Sequence, residues 1–335
     1  MTVTVRSFAK INLGLRIGAA RQDGFHELLT VYQTIALHDV IRVSLGRGSG
    51  RGSKIEIQCK DPRVPRDESN TCWRIVEKAL RIFGVKQRVV IEIEKRLPVQ
   101  GGLGGASANA VAVLLALERA LKKSLSATDR LRIAAEVGSD LPLFLVGGTV
   151  LGMGRGEQVY PLPDLPATAC VVVTPEVGVS TPKAFAEWDR MQGLKRGSST
   201  SAKLTVPKSS DRINELGYGL SAWLSELHSG APSDRSRRRG RAENPFLALV
   251  RAGIENDFER VVFPEYPVLG EGKRALVRAG AKYASLSGSG SALYGLFASR
   301  AAAGQAVKRL RKEGWAAQAT VTLPRRAYWR RVVVG

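Results

Sequence analysis

Along the first half of the chain, apolar and polar residues alternate in short runs that predict strands near 2–8, 11–18, 31–36, 39–45, 54–59 and 88–95. In the last run Val89, Ile91 and Ile93 share one face while Val90, Glu92 and Glu94 share the other. Elsewhere the period lengthens to that of a helix, at about 70–83, 107–122 and 127–137, with Val111, Leu114, Leu115 and Leu121 forming one apolar stripe. Ser126 followed by Asp129 predicts a capped helix start, and Gly138 its end. Strand-like residues return at 149–153 and 158–162, and Pro161–Pro166 reads as a linker. A second region opens with a buried strand over 169–174, then Ser180-Thr181-Pro182, an N-cap followed by a proline in the first turn. Helices follow, then strands at 282–286 and 292–298 around the turn Ser287–Ser291, a helix at about 299–313 and a strand near 315–323. The succession predicts an α+β fold in two domains, 1–162 and 168–335.

Composition narrows the setting. No apolar run approaches a membrane span, and the strand-like opening Met1-Thr2-Val3-Thr4-Val5-Arg6 lacks a secretory h-region, so the expectation is a cytoplasmic protein. Cys59, Cys72 and Cys170 lie far apart without Cys-x-x-Cys spacing, which predicts buried small hydrophobes rather than disulfides or a zinc site. A formal net charge of +21 favours anionic partners without choosing among them. Part of that excess is the run Arg235–Arg241. No aromatic side chains are interleaved there, so it reads as a solvated insertion, and no nucleic-acid partner is expected. Segments 192–210 and 229–243 are polar and read as loop insertions.

The most chemically suggestive stretch runs from Pro98 to Asn109, where Gly101, Gly102, Gly104 and Gly105 lie between a predicted strand and a predicted apolar helix. Glycines let the backbone approach an anion, and the helix start adds unpaired amides and the positive end of a dipole. No Gly-Lys-Ser/Thr follows, so the loop is not a Walker A sequence, and the Gly-x-Gly-x-x-Gly spacing of dinucleotide folds is not met. On its own the loop is either a nucleotide phosphate cradle or a tight connection with no ligand.

Set in order with other segments, the loop gains meaning. Ala9-Lys10-Ile11-Asn12-Leu13, Asp23-Gly24-Phe25-His26-Glu27-Leu28, the glycine loop, Gly138-Ser139-Asp140-Leu141-Pro142 and Leu286-Ser287-Gly288-Ser289-Gly290 together resemble the GHMP kinase superfamily. The first two segments narrow the resemblance to its diphosphocytidyl-methylerythritol kinases, and it spans most of the chain. It implies a ribosomal protein S5 domain 2-like N-terminal domain, a ferredoxin-like C-terminal domain and a cleft between them. It also implies ATP-dependent phosphorylation of the 2-hydroxyl of 4-diphosphocytidyl-2-C-methyl-D-erythritol, in the non-mevalonate route to isoprenoids, by a monomer or weak dimer. Mevalonate or homoserine kinases of the superfamily, and a basic nucleic-acid-binding protein on an S5-like scaffold, are the competing readings.

Residue by residue, the resemblance implies Asp140 as catalytic base with Lys10 beside it. It implies that Pro98, Val99, Gln100, Gly101, Gly102, Leu103, Gly104, Gly105, Ala106, Ser107 and Ala108 surround the ATP phosphates, that Ser107 lies near their Mg²⁺, and that Asn70 contacts the adenine side. Asn12, Phe25, His26, Tyr32, Thr181 and Phe185 are implied for the diphosphocytidyl substrate, with Phe25 and Phe185 sandwiching cytosine. Gly288, Ser289 and Gly290 are implied as a closing loop. The chain departs from the family at Phe25, where tyrosine is common, and at Ala106 and Ala108, where glycine and serine are usual. Read without the resemblance, Lys10 is a strand-edge lysine, Asp140 a helix cap, and Phe185 and Tyr32 core packing.

Overall fold

A computed structural model of the chain describes residues 2–46, 54–197, 209–229 and 254–334. The arginine-rich run 235–241 and most of both polar segments lie outside the described residues.

The first sheet is built around two long strands, β1 (Thr2–Ala20) and β2 (His26–Gly46), paired antiparallel. Each replaces two shorter predicted strands. Register shifts between Phe8 and Lys10 and between Asn12 and Gly14 break the alternation without ending the pairing, as β-bulges do. The sheet runs β3 (Lys54–Cys59), β4 (Arg88–Glu94), β2, β5 (Thr149–Met153), β6 (Gln158–Pro161), with β1 on β2. The parallel pair β3 and β4 is joined through α1 (Thr71–Phe83). Asn70 accepts from the Cys72 amide to start that helix, and Gly84 at φ 64° stops it.

Next to α1 lies α2 (Gly105–Leu121), buried from Ala108 to Glu118, which is why its sequence is apolar on nearly every side. In α3 (Ala127–Val137) the Ser126 hydroxyl accepts from the Asp129 amide, giving the predicted cap. A short α4 (Leu141–Val146) follows directly. Cys59 and Cys72 are buried in the core that these elements share, and Cys170 in the core that joins the two sheets.

The second sheet has the order β10 (Ala317–Val321), β7 (Ala169–Val173), β9 (Leu293–Phe297), β8 (Tyr283–Leu286), all antiparallel. With helices between β7 and β8 and between β9 and β10, it is a ferredoxin-like βαββαβ unit. The helices are α5 (Thr181–Gly197), α6 (Ser209–Ser229), α7 (Glu259–Glu265), α8 (Pro267–Arg278) and α9 (Arg300–Lys312). Ile11, Leu13, Val31 and Ile35 of the first sheet meet Cys170, Val172, Tyr294 and Leu296 of the second in one continuous apolar layer. The two units are therefore fixed to each other by core packing.

Beyond the second sheet, α10 (Arg325–Val332), which the sequence pattern did not predict, returns to the first unit. Its Tyr328 hydroxyl donates to the Phe144 carbonyl at 2.7 Å, and Val333 bridges Val5. None of the described helices is long and apolar enough to cross a membrane.

Candidate active site

A cavity of about 580 Å³ opens where the two sheets meet. Its floor is β1. The bulges flank Lys10 and Asn12, which sit two residues apart and so project to the same side, as the bulge-shifted strand requires. Lys10 is 3% exposed; its Nζ donates to Asn12 Oδ1 at 2.7 Å and lies 3.3 Å from Asp140 Oδ2. Asn12 Nδ2 in turn donates to Thr30 Oγ1, and the Thr30 hydroxyl to the Gly14 carbonyl. Every polar atom that orients the ammonium is thus itself held.

Asp140 stands at the N-terminus of α4 but its side chain makes no capping hydrogen bond there. It faces the cavity instead, accepting from the Tyr32 hydroxyl at 3.1 Å and pairing with Lys10. Burial, and then the Asp140 carboxylate, raise the Tyr32 phenol well above its ordinary value, so it stays protonated and remains a donor. Cys72 also lines the cavity, but burial pushes its thiol up to about 12, which leaves it protonated and unreactive.

The glycine loop forms one wall, and α2 points its N-terminus at the space, with Gly105, Ala106 and Ser107 on the lining. Gly102 has φ +72°, and a Cβ there would lie 2.1 Å from the Ser287 carbonyl oxygen, so no other residue fits. That closeness is a junction between the units: Ser287 Oγ donates to the Gly102 carbonyl at 2.9 Å and the Ala292 amide to Gly101 at 3.0 Å. The buried Asn256 amide holds the carbonyls of Leu286 and Gly288 from behind. The late Ser-Gly loop is already seated against the glycine loop.

At the other end the walls are aromatic. Phe25 is 47% exposed, with the Arg155 guanidinium 4.8 Å above its ring. His26 stacks on Phe185 at 4.8 Å and 11°, and Phe258 meets Phe185 edge-on at 4.9 Å. His26 Nε2 lies 2.7 Å from Asp189 Oδ1; a carboxylate there accepts, so Nε2 carries the proton and Nδ1 is the ring's free position when neutral. Thr181 shares a hydrogen bond with Ser289 across the cavity mouth.

The cavity brings together nearly all the residues that the sequence singled out. Ala108 and Gly290 are buried and do not line it. Asn70 lines it, but Oδ1 caps α1 and Nδ2 donates to the Pro65 carbonyl, so its amide is spent on the fold. Phe185 lines it with one face covered by His26, so the aromatic slot for a base between Phe25 and Phe185 is narrowed by the imidazole. Missed from the sequence were Arg63, Lys95, Ser139, Arg155 and Phe258 on the walls, and Asp189 behind His26. Lys95 is held by the fully buried Asp39 at 2.5 Å, and only that lone acid on a strand hinted at a partner.

Comparisons with known proteins show the family and the fold. The family model described as GHMP kinases N terminal domain matches residues 70–148, and that described as GHMP kinases C terminal matches 242–316. The 4-diphosphocytidyl-2-C-methyl-D-erythritol kinase of Solibacter usitatus is 38% identical over 334 residues, spanning 98% of this chain and 92% of the relative. A crystal structure of 4-(cytidine 5'-diphospho)-2C-methyl-D-erythritol kinase superposes with a TM-score of 0.67 at 28% identity, covering 95% of this chain and 98% of the other. Homoserine kinase from Cytophaga hutchinsonii gives 0.68 at 20% identity, covering 96% and 95%, a likeness of fold alone. Since fold does not separate these kinases, the sequence likeness decides, and the chain belongs to the 4-diphosphocytidyl-2-C-methyl-D-erythritol kinase family of GHMP kinases.

Proposed function

We propose that the chain transfers the γ-phosphoryl group of ATP to the 2-hydroxyl of 4-diphosphocytidyl-2-C-methyl-D-erythritol, giving the 2-phosphate and ADP. The observation that carries this reading is the Asp140 carboxylate, held by Lys10 and Tyr32 beneath a glycine loop and free of any capping duty. Phosphoryl transfer needs a proton acceptor, positive charge near the transferring oxygens and in-line placement. Asp140 accepts the hydroxyl proton as the substrate oxygen bonds to phosphorus, and the bond to the ADP oxygen breaks. Lys10, paired with the carboxylate, holds it in place and offsets negative charge on the transferring group. Tyr32 fixes the carboxylate's orientation by donating to its other oxygen.

Residues 98 to 107 and the α2 N-terminus receive the ATP phosphates. Phe25, His26 and Phe185 receive the cytosine, with Asn12 and Thr181 nearer the diphosphate. Lys95 and Arg63 add cationic walls, and the basic surface steers two anionic substrates. Among the described residues there is no cluster of three or more His, Cys, Asp or Glu to cage a metal, and Ser107 lies at the phosphate end. That donor set fits Mg²⁺ carried by the nucleotide, with phosphate oxygens, water and the Ser107 hydroxyl as ligands, where it would neutralise phosphate charge. The division of labour follows a boundary at 162–168, and the reaction belongs in the cytoplasm, where ATP is available.

The test is ATP-dependent phosphorylation of the diphosphocytidyl substrate beside mevalonate and homoserine, with the product located by ³¹P–¹H correlation. Turnover of the cytidine compound at the 2-position supports the reading. Turnover of mevalonate or homoserine alone overturns it.

A further inference from the structure

Elsewhere along the domain seam lies another cavity, of about 530 Å³, that shares no lining residue with the catalytic one. Its walls come from both units: Leu37 and His38 of β2, Arg96 after β4, Arg300 at the start of α9, Gln318 to Val321 of β10, and Arg331 of α10. Three arginines and a histidine face this space, and no carboxylate lines it among the described residues.

The local charges are not arranged to satisfy one another. Arg96 is bound to Glu94, but the guanidinium groups of Arg300 and Arg331 have no recorded partner among the described residues. In the same elements Arg309 is paired with Glu313 and Arg325 with Asp164. His38 directs Nδ1 to the Ala36 carbonyl at 2.8 Å; a carbonyl only accepts, so Nδ1 is the donor. A separate sign comes from Thr320. Its hydroxyl oxygen is buried and without a hydrogen-bond partner among the described residues, and the residue lines this cavity. Burying a hydroxyl unpaired costs free energy, so such an atom calls for an explanation. Like charges gathered without a counter-charge and an unused hydroxyl are both answered by one occupant, an anion with several acceptor oxygens. Arginine forks suit phosphate oxygens, and the N-terminal end of α9 adds its dipole.

We propose that this cavity binds a small phosphate-bearing anion, of the size of a mono- or diphosphate, through Arg300, Arg331 and Thr320. Because β2 and β10 both wall it, the bound anion would touch the two units at once, away from the reacting groups. The proposal stands apart from the catalytic reading.

Calorimetric titration of the full chain with pyrophosphate, in about 150 mM salt and with the catalytic cavity filled at both ends by a non-hydrolysable ATP analogue and cytidine diphosphate, isolates this site. One equivalent of pyrophosphate is expected to bind. Arg300→Ala combined with Arg331→Ala should weaken it about tenfold or more, and Thr320→Val about threefold, since charge-assisted hydrogen bonds outweigh neutral ones. Arg326→Ala with Arg330→Ala removes equal charge from α10 but lines no part of the cavity, and should leave the affinity unchanged. The proposal is overturned if the analogue-saturated protein binds no pyrophosphate, if the Arg300 and Arg331 double variant binds as tightly as the parent, or if the control pair weakens binding equally. Thr320→Val changes no charge and keeps the side-chain shape, so its effect is read even if the double variant fails to fold.

Discussion

The two ends of the catalytic cavity are built on opposite plans. Around Asp140 every group is held by another: Lys10 is 3% exposed and bonded to Asn12, Asn12 to Thr30, and Tyr32 to Asp140. Around Phe25 the side chains are partly open, and Phe185 spends a face on His26. Charge stabilisation requires donors that are fixed before the reaction begins, because any reorganisation would subtract from it. Base recognition tolerates a site that closes on its ligand, since stacking partners rearrange at small energetic cost. On the proposed function, the reacting end is therefore locked by the sheet, while the recognition end is assembled from a strand end and one face of α5.

This contrast predicts graded losses. Asp140→Asn should lower kcat by about 10²–10⁴ with KM for the acceptor nearly unchanged, as loss of a general base does. A KM effect with normal kcat would move Asp140 to the binding end. Lys10→Met should cost about 10²–10³ in kcat, the magnitude seen when one charge-stabilising donor is removed from an enclosed site. At the other end, Phe185→Ala should raise KM for the cytidine substrate about tenfold and leave kcat within a factor of about three, as expected for one lost aromatic contact. Steady-state kinetics with both substrates varied separates these patterns. If Phe185→Ala instead lowered kcat alone, the two ends would not be distinct.

The smallest effect belongs to Tyr32. Tyr32→Phe removes one neutral hydrogen bond to a charged group and should cost about three- to tenfold in kcat, measured under saturating substrates. Its pH behaviour has a definite sign. The folded-state phenol titrates well above 10.0, the ordinary value, so below pH 10 both folded and unfolded chains keep the proton. Above that, the unfolded chain releases it and the folded chain does not. Stability contributed by the protonated phenol is thus lost as pH rises past 10. Tyr283, Tyr294 and Tyr328 are shifted upward by burial as well, so the melting temperature should hold to about pH 10 and fall beyond it.

How much of this was legible in the residues follows from range. Elements whose pattern is local were readable: the Ser126 cap, the glycine-to-helix transition at α2, and the strands about Ser287–Ser291. Even the order of motifs carried the family and its two-unit fold. Positions that depend on distant partners were not readable. Lys95 is defined by Asp39, Asp189 by His26, and Arg155 by Phe25, and none of these pairs has a fixed spacing that recurs as a pattern. The long strands were split because a bulge imitates a turn in the alternation. α10 escaped because its buried face is only Tyr328 and Val332, too few for a helical period to show.

That helix also ties chain order to assembly. Tyr328 fills space beside Phe144 in the first unit's core, and Arg325 donates to the carbonyls of Gly147, Thr149 and Leu162. Residues 2–161 therefore lack part of their own interior until residues 325–334 have been made. On the ribosome the first unit emerges early yet waits, incomplete, for the whole second unit to follow. A nascent chain arrested after β6 should accordingly be more open to proteases than the same residues in the finished protein.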